Sequence, residues 1–171
     1  MSAANYSAQE HLRDGRPVKI RALRPDDKTS MLAAIDRTGT ESLTRRFFVT
    51  KRHFSDKETA FFMKIDFVNH VALVAEIDED GGTAIVGGGR YVVVESGQAE
   101  IAFTVVDAFQ RQGLGAILVR HVVGLARAAG LKQLSADVLR DNRAMLHVLG
   151  KFGFQTRGTD PQVVHLTLPL V

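Results

Sequence analysis

Apolar and polar residues along the chain repeat with two periods, and the periods mark out its elements. From Val18 to Leu23, the apolar Val18, Ile20 and Ala22 alternate with Lys19 and Arg21, as on a half-buried strand. Arg24-Pro25-Asp26-Asp27 predicts a helix start, with proline in the first turn and acids at the positive end of the helix dipole. That helix should run to about Arg37 and stop near Gly39. Ser55-Asp56-Lys57-Glu58 is a capping box and opens a second helix through Phe61, Phe62 and Ile65. Between the two, Leu43 to Phe54 carries Arg45, Arg46, Phe47, Phe48 and Phe54, which suit a short helix or loop laid over the core. The first sixteen residues are small and polar up to the Gly15/Pro17 break, so a flexible leader over 1–16 is expected, followed by one domain over 17–171.

The middle of the chain is rich in strands. Val71 to Ile77, Ala84 to Val94 and Ala99 to Val106 are separated by Asp-Glu-Asp-Gly-Gly and Glu95-Ser96-Gly97, both hairpin signals that imply antiparallel pairing. Gly87, Gly88 and Gly89 interrupt the second of these strands and predict a bulge or bend. From Gly113 the period changes. Apolar positions 114, 117, 118, 122, 125 and 129 form a helical stripe that Gly130 ends. Leu134 to Leu139 reads as a strand, Arg143 to Lys151 as a short helix, and Phe152 to Thr156 and Val163 to Leu168 as two last strands. The order β-α-α-β-β-β-α-β-α-β-β describes one α/β (α+β) domain with a mixed, mostly antiparallel central sheet flanked by helices.

Composition narrows the function classes. The 171 residues are 45% hydrophobic and 24% charged, an ordinary globular balance that argues against wholesale disorder. Lys and Arg exceed Asp and Glu by 22 to 19, a net +3 that tolerates an anionic ligand but lacks the basic stripe of a nucleic-acid binder. With no cysteine there is no disulfide, thiolate metal site or cysteine nucleophile. Met1 to Pro17 has no apolar signal-peptide core, and apolar runs such as Val92 to Val94 fall far short of the ~20 residues a membrane span needs. A soluble cytoplasmic protein is expected. Histidines 11, 53, 70, 121, 147 and 165 show no metal-ligand spacing, so no metal is expected.

Chemistry concentrates at Val105-Val106-Asp107-Ala108-Phe109-Gln110-Arg111-Gln112-Gly113-Leu114-Gly115-Ala116, a strand, a loop and a glycine-bearing helix start. A helix N-terminus offers unpaired N–H groups and partial positive charge, which favour phosphate oxygens. Gly113 and Gly115 remove the Cβ atoms that would hold a diphosphate off the backbone, and Arg111 adds a cation. Two glycines can equally do no more than shape a tight turn. A P-loop would need four residues between its glycines and a following Lys-Ser or Lys-Thr, and a dinucleotide fold would need parallel strands around G-x-G-x-x-G; neither pattern is present.

Gln110-x-x-Gly113-x-Gly115 resembles the acyl-CoA pyrophosphate loop of the GNAT N-acetyltransferase superfamily. Asn142-Arg143-Ala144-Met145 followed by Lys151-Phe152-Gly153-Phe154 is similar to that superfamily's second CoA-binding element, and the element order agrees over roughly residues 17 to 170. Within it the chain is most similar to bacterial protein-lysine acetyltransferases of the Pat type. The similar segments are Ser42 to Phe48, Ile65-Asp66-Phe67, His70 to Ala75, Gly89-Arg90-Tyr91, Ala99 to Ala102 and Val138 to Asn142 with Met145. Such domains are often fused to regulatory or synthetase-like domains. This sequence shows neither, so control by a fused cyclic-nucleotide module is not expected.

The resemblance implies an acetyl-CoA-dependent N-acetyltransferase, with direct transfer to a lysine of a protein such as an acyl-CoA synthetase. It assigns acetyl-CoA binding to Phe103, Thr104 and Val105 on the strand, to Gln110, Arg111, Gln112, Gly113, Leu114, Gly115 and Ala116 in the loop and helix start, and to Asn142. The strand would hold the pantetheine arm as a pseudo-strand and supply an N–H for the oxyanion, with a splayed cleft between residues 99–106 and 134–139. A lysine with an ordinary pKa of about 10.4 is almost wholly protonated at pH 7, so a general base made more basic by burial is called for. Glu100 stands at the family's catalytic glutamate and shares a strand face with Ala102, Thr104 and Val106.

One position departs from the wider superfamily. Where many members carry a thiolate-protonating tyrosine, seven residues after Asn142, this chain has Leu149. That gap is shared with the Pat type, and water can protonate a thiolate of ordinary basicity. Tyr6 and Tyr91, the only tyrosines, are given no catalytic role. Asn142 also suits an N-cap, a role compatible with cofactor contact. In the segment with Arg45, Arg46, Lys51 and Arg52, the phenylalanines 47, 48 and 54 should anchor to the core, leaving the charges to steer an acidic partner or the CoA 3′-phosphate.

Other readings are the same chemistry on a small amine, a catalytically idle CoA-binding module, and, weakest, a nucleic-acid binder. A small amine would call for an enclosed pocket with carboxylates, which Asp66 and Glu76 are not expected to form.

Overall fold

The structure, a computed structural model, describes residues 2–47 and 54–171. One eight-stranded sheet organises it: β1 (Ser7–His11), β2 (Pro17–Ala22), β3 (His70–Glu79), β4 (Gly82–Glu95), β5 (Gln98–Val105), β6 (Gln133–Leu139), β7 (Gln155–Thr159) and β8 (Val163–Pro169). Its spatial order is β1-β2-β3-β4-β5-β6-β8-β7. Only β5 and β6 run parallel; every other neighbour pair is antiparallel. The helices are α1 (Lys28–Asp36), α2 (Thr40–Phe47), α3 (Asp56–Met63), α4 (Leu114–Ala128) and α5 (Arg143–Lys151). Among the described residues no helix is long and apolar enough to cross a membrane.

Three expectations need correction. The stretch expected to be a loose leader over 1–16 is tied down at its centre: Ser7–His11 is an edge strand of the sheet, paired from Ser7↔Arg21 to His11↔Pro17, and Leu12 is buried. Side chains of this strand and of the residue before it reach α4, where Tyr6 hydroxyl meets His121 Nδ1 and Glu10 meets His121 Nε2 at 2.9 Å. Local pattern does not reveal this strand, because its side chains are small and polar and its place depends on pairing with β2 and on α4 side chains more than a hundred residues away. β7 begins at Gln155 rather than Phe152, since Phe152 caps α5 and Gly153 turns the chain at φ 95°. In α4 the buried face is Leu114, Ile117, Leu118, Val119, Val122, Val123 and Ala126, while Ala129 is exposed past the helix end.

Other predicted devices are found. Ser55 caps α3, accepting from Glu58 N–H at 3.1 Å while Glu58 Oε1 accepts from Ser55 N–H at 3.1 Å. The glycine run in β4 coincides with a bulge: Ala75 pairs with Gly87 and Glu76 with Ile85, leaving Val86 as the extra residue. At two of these glycines the lack of a side chain has a clear cause. A Cβ at Gly87 would stand 3.0 Å from Thr104 carbonyl and 3.2 Å from Leu114, and one at Gly89 would stand 2.6 Å from the Phe103 ring. The glycines let α4 and β5 close over β4, and so set the position of the strand that carries the site.

Candidate functional site

The site follows from a divergence of strands. β5 and β6 pair at Gln98↔Gln133, Ala99↔Leu134 and Glu100↔Ser135, and there the pairing ends. β5 continues to Val105 on β4, and β6 to Leu139 on β8, so a wedge opens between them. Val106 N–H bonds Val86 carbonyl on the β4 side at 2.9 Å. Alternation along the strand therefore turns the main-chain groups of Val105 and Phe103 toward the wedge. Gln110 Nε2 donates to Val105 carbonyl at 3.1 Å and to Ser42 Oγ at 3.0 Å, which ties the loop to the strand and to α2.

A cavity of about 520 Å³ fills this wedge. Ten of the eleven predicted cofactor residues line it: Phe103, Thr104 and Val105 of β5, Gln110 and Arg111 of the loop, Gly113, Leu114, Gly115 and Ala116 of the helix start, and Asn142. Gln112 is the exception. Its carbonyl accepts from Arg13 N–H at 3.0 Å and its side-chain oxygen from Asp14 N–H at 3.2 Å, so it binds the N-terminal segment and not the cavity. Arg13 lines the cavity in its place and donates from Nη1 to Arg111 carbonyl at 3.3 Å.

The loop is shaped as an anion cradle. Arg111 and Gly113 both adopt left-handed backbone, at φ 65° and 83°, ahead of the first turn of α4. Such a turn gathers successive N–H groups onto one concave side, at the end of a fifteen-residue helix. A Cβ at Gly115 would meet nothing within 4 Å, so the space before the helix is open. Arg13, Arg45, Arg111 and Lys151 bring cations to its lining. Asn142 Oδ1 accepts from Met145 N–H at 3.3 Å, capping α5 while lining the cavity. Leu149, where a tyrosine would stand, is buried and apolar against the same cavity. Tyr91 lies in the core and Tyr6 on the far side of α4.

Left-handed backbone strains a non-glycine residue by about 1–3 kcal/mol. Arg111→Gly should therefore raise thermal stability slightly while weakening acetyl-CoA binding several-fold, because the cation goes with the strain. Unfolding midpoints and the KM for acetyl-CoA would check both halves. Gly89→Ala acts through Phe103. The new methyl would push the ring into the cavity, lower stability by about 1–3 kcal/mol and raise the KM for acetyl-CoA, with Gly88→Ala, which faces Leu73 carbonyl instead, as the comparison.

A second, smaller cavity of about 100 Å³ lies across β5, bounded by α1, α2, α3 and β4. Arg46, Ala102 and Thr104 line both cavities, so the two meet at this strand. Phe47, Phe54 and Phe62 form a ring cluster with centroids 5.1–5.7 Å apart, as expected of anchoring residues. Phe48, Lys51 and Arg52 lie outside the described residues. Arg45 pairs with Glu41 at 2.9 Å. Glu100 is on the same strand face as Ala102 and Thr104, two residues before the junction. It is exposed and lines neither cavity, so the burial expected of it is absent. Asp66 is taken up by the N–H groups of Val68, Asn69 and His70, each at 2.9 Å, and Glu76 by Arg21; neither lines the small cavity.

Sequence reasoning missed Arg13, His147 and the pair Arg46 and Arg90 as lining residues. For Arg90 a signal existed, a lone cation within an apolar strand run. For Arg13 there was none, because its place depends on pairing with the loop. Among the described residues no group of histidines and acids is placed to hold a metal ion.

The acetyltransferase (GNAT) family model matches residues 38–154. An acetyltransferase of Pseudomonas aeruginosa is 36% identical over 91% of this chain and 86% of its own length. The crystal structure of the GNAT domain of Streptomyces lividans PAT superposes with a TM-score of 0.86 at 30% identity, covering 95% of this chain and 96% of that one. Acetyltransferase Pat of Mycolicibacterium smegmatis is 26% identical over 83% of this chain, which spans 42% of that protein.

Proposed function

Because the chain belongs to the acetyltransferase (GNAT) family, we propose that it transfers acetyl from acetyl-CoA directly to a lysine side chain of a protein, with Glu100 as general base. The observation that carries this reading is the meeting of the two cavities at Ala102 and Thr104. A thioester laid along β5 and an amine reaching the same strand come together there without a shuttle, as direct transfer requires. No cysteine is available to carry the acetyl group in between.

The residues fit the cosubstrate. The cradle of Arg111, Gly113 and the α4 N-terminus, with Arg13 beside it, suits a diphosphate. Main-chain groups of Phe103 and Val105 suit the amides of a pantetheine arm. Acetyl-CoA supplies the thioester carbon that the amine attacks, with the CoA thiolate as leaving group. Glu100 removes the ammonium proton that would otherwise block the nitrogen lone pair. A cleft-facing N–H of β5 receives the negative charge gathering on the thioester oxygen, and as the adduct collapses the second proton of the attacking nitrogen passes through water to the departing thiolate beside Leu149.

The exposure of Glu100 favours a protein acceptor. An exposed carboxylate two residues along the strand from the junction is reachable by a lysine presented on a protein surface. The reaction is proposed to be cytoplasmic. Release of free CoA from acetyl-CoA, measured with and without a purified acyl-CoA synthetase, tests the reading. Protein-dependent release with acetyl found on one lysine is the expected result. Release with small amines alone would establish the small-amine alternative, and tight binding of acetyl-CoA without turnover on any acceptor would leave an idle CoA-binding module.

A further inference from the structure

The small cavity holds two arginines that the fold leaves without an acid. Arg90 Nη1 donates to Phe62 carbonyl at 3.2 Å and to His70 Nε2 at 3.0 Å, with its guanidinium over the Phe62 ring at 5.3 Å. Arg46 lies over the Phe47 ring at 4.6 Å and makes no hydrogen bond to a described residue. No carboxylate of the described residues pairs with either, and the stretch 48–53, Phe-Val-Thr-Lys-Arg-His, contains no acid. His70 adds no negative charge. Burial, then the Arg90 cation, depresses it to about 4, so it is neutral near pH 7 and accepts from Arg90.

The contrast with Arg21 is informative. That arginine is fully buried where Arg46 and Arg90 are half-buried, and the fold surrounds it with Asp27 and Glu76. Burying a guanidinium without a counter-charge is unfavourable, and two facing one cavity repel each other. Burial brings Arg46 down to about 10, and burial with the Arg46 charge brings Arg90 down to about 9, which still leaves both cationic near neutrality. The space between them, about 100 Å³, takes a group of several non-hydrogen atoms.

We propose that the acceptor carries a carboxylate close to the amine that is acetylated, and that Arg46 and Arg90 clamp it in the small cavity. The planar guanidinium fork matches a carboxylate in size and in donor spacing. With the acid held there, the neighbouring amine lies over Ala102 and Thr104, on the face that carries Glu100. The inference rests on the acetyltransfer reading and names the substrate class for that site. The acid could be a side chain next to the target lysine in a protein, or the α-carboxylate of a free amino acid.

Two measurements test it. In the first, CoA release is followed with matched acceptors: a lysine peptide with an adjacent aspartate against the same peptide with asparagine, and free lysine against lysinamide. The acid-bearing member should have a kcat/KM about tenfold or more above its neutral partner, and Arg46→Gln should remove the difference. Preference within the peptide pair identifies a protein side chain, and preference within the second pair a free amino acid. Equal rates within both pairs overturn the clamp.

The second measurement needs no turnover. The arginine Nε–H resonances of Arg46 and Arg90, assigned with Arg46→Lys and Arg90→Lys, are titrated with glutarate and with its neutral diamide. Saturable shifts with glutarate alone are expected, and their absence overturns the proposal even in an active enzyme. Shifts without turnover on any acceptor would instead sink the acetyltransfer reading and leave an anion site.

Discussion

Glu100→Gln should lower kcat/KM for the acceptor amine by roughly 10²- to 10⁴-fold, the usual contribution of a positioned general base, with acetyl-CoA binding unchanged. The side chain is exposed and near-isosteric in the variant, so folding should be intact. The deficit should also depend on pH in one direction. As pH rises toward the lysine value of about 10.4, more of the amine is neutral without help, so wild type and variant should converge. A pH profile of both proteins, with acetyl-CoA affinity measured alongside, separates loss of a base from loss of the site. A variant within about threefold of wild type at pH 7 would remove Glu100 from the mechanism.

Arg21→Met should destabilise the fold by about 3–5 kcal/mol. Arg21 donates to Asp27 at 2.8 and 2.9 Å, to Glu76 at 2.7 and 3.1 Å, and to Ala22 carbonyl at 3.1 Å, all in a nearly dry setting. Its removal strands two carboxylates beneath the α1 start. The pH dependence identifies the cause. Burial pushes the Asp27 carboxyl up, but hydrogen bonds from Arg21 and from Arg24 N–H, the latter at 2.6 Å, outweigh it and hold the group below its usual range. In the wild type that contribution is present above the unfolded value, about pH 4, and is lost as pH falls through the lower folded value. In the variant burial is left to act, so protonation relieves the stranded charge and favours the folded form as pH falls. Denaturant unfolding should show a gap that is widest near pH 7 and narrows below about pH 4. A gap that stays constant would mean the loss is one of packing.

The two arginine settings show why some functional residues are visible in a sequence and others are not. The loop Gln110 to Ala116 was legible because its chemistry is local. Adjacent residues form the turn and the helix start, so local spacing encodes their shape, while the cofactor role came from the family resemblance. Asn142 was legible for the same reason, since an N-cap needs only its own helix. Arg46 and Arg90 become a pair only when α2 is laid against β4, and nothing in either segment states that no acid will follow. The contacts of Gln112 were hidden for the converse reason: its partners, Arg13 and Asp14, follow an edge strand that local pattern does not reveal. The burial expected of Glu100 was likewise a tertiary quantity, fixed by where β6 leaves β5.

The sequence by itself determined the order of elements from Val18 onward apart from α2, the mostly antiparallel sheet, the bulge at the β4 glycines and the glycine-bearing helix start. Each follows from side-chain period or backbone freedom within a few residues. The tertiary structure alone decided the rest. It set Ser7–His11 as a strand, opened the wedge where pairing stops at Glu100↔Ser135, joined the two cavities at Ala102 and Thr104, and left two arginines unpaired between them. Those features depend on which distant segments are brought into contact, and on which charges meet a partner when they arrive.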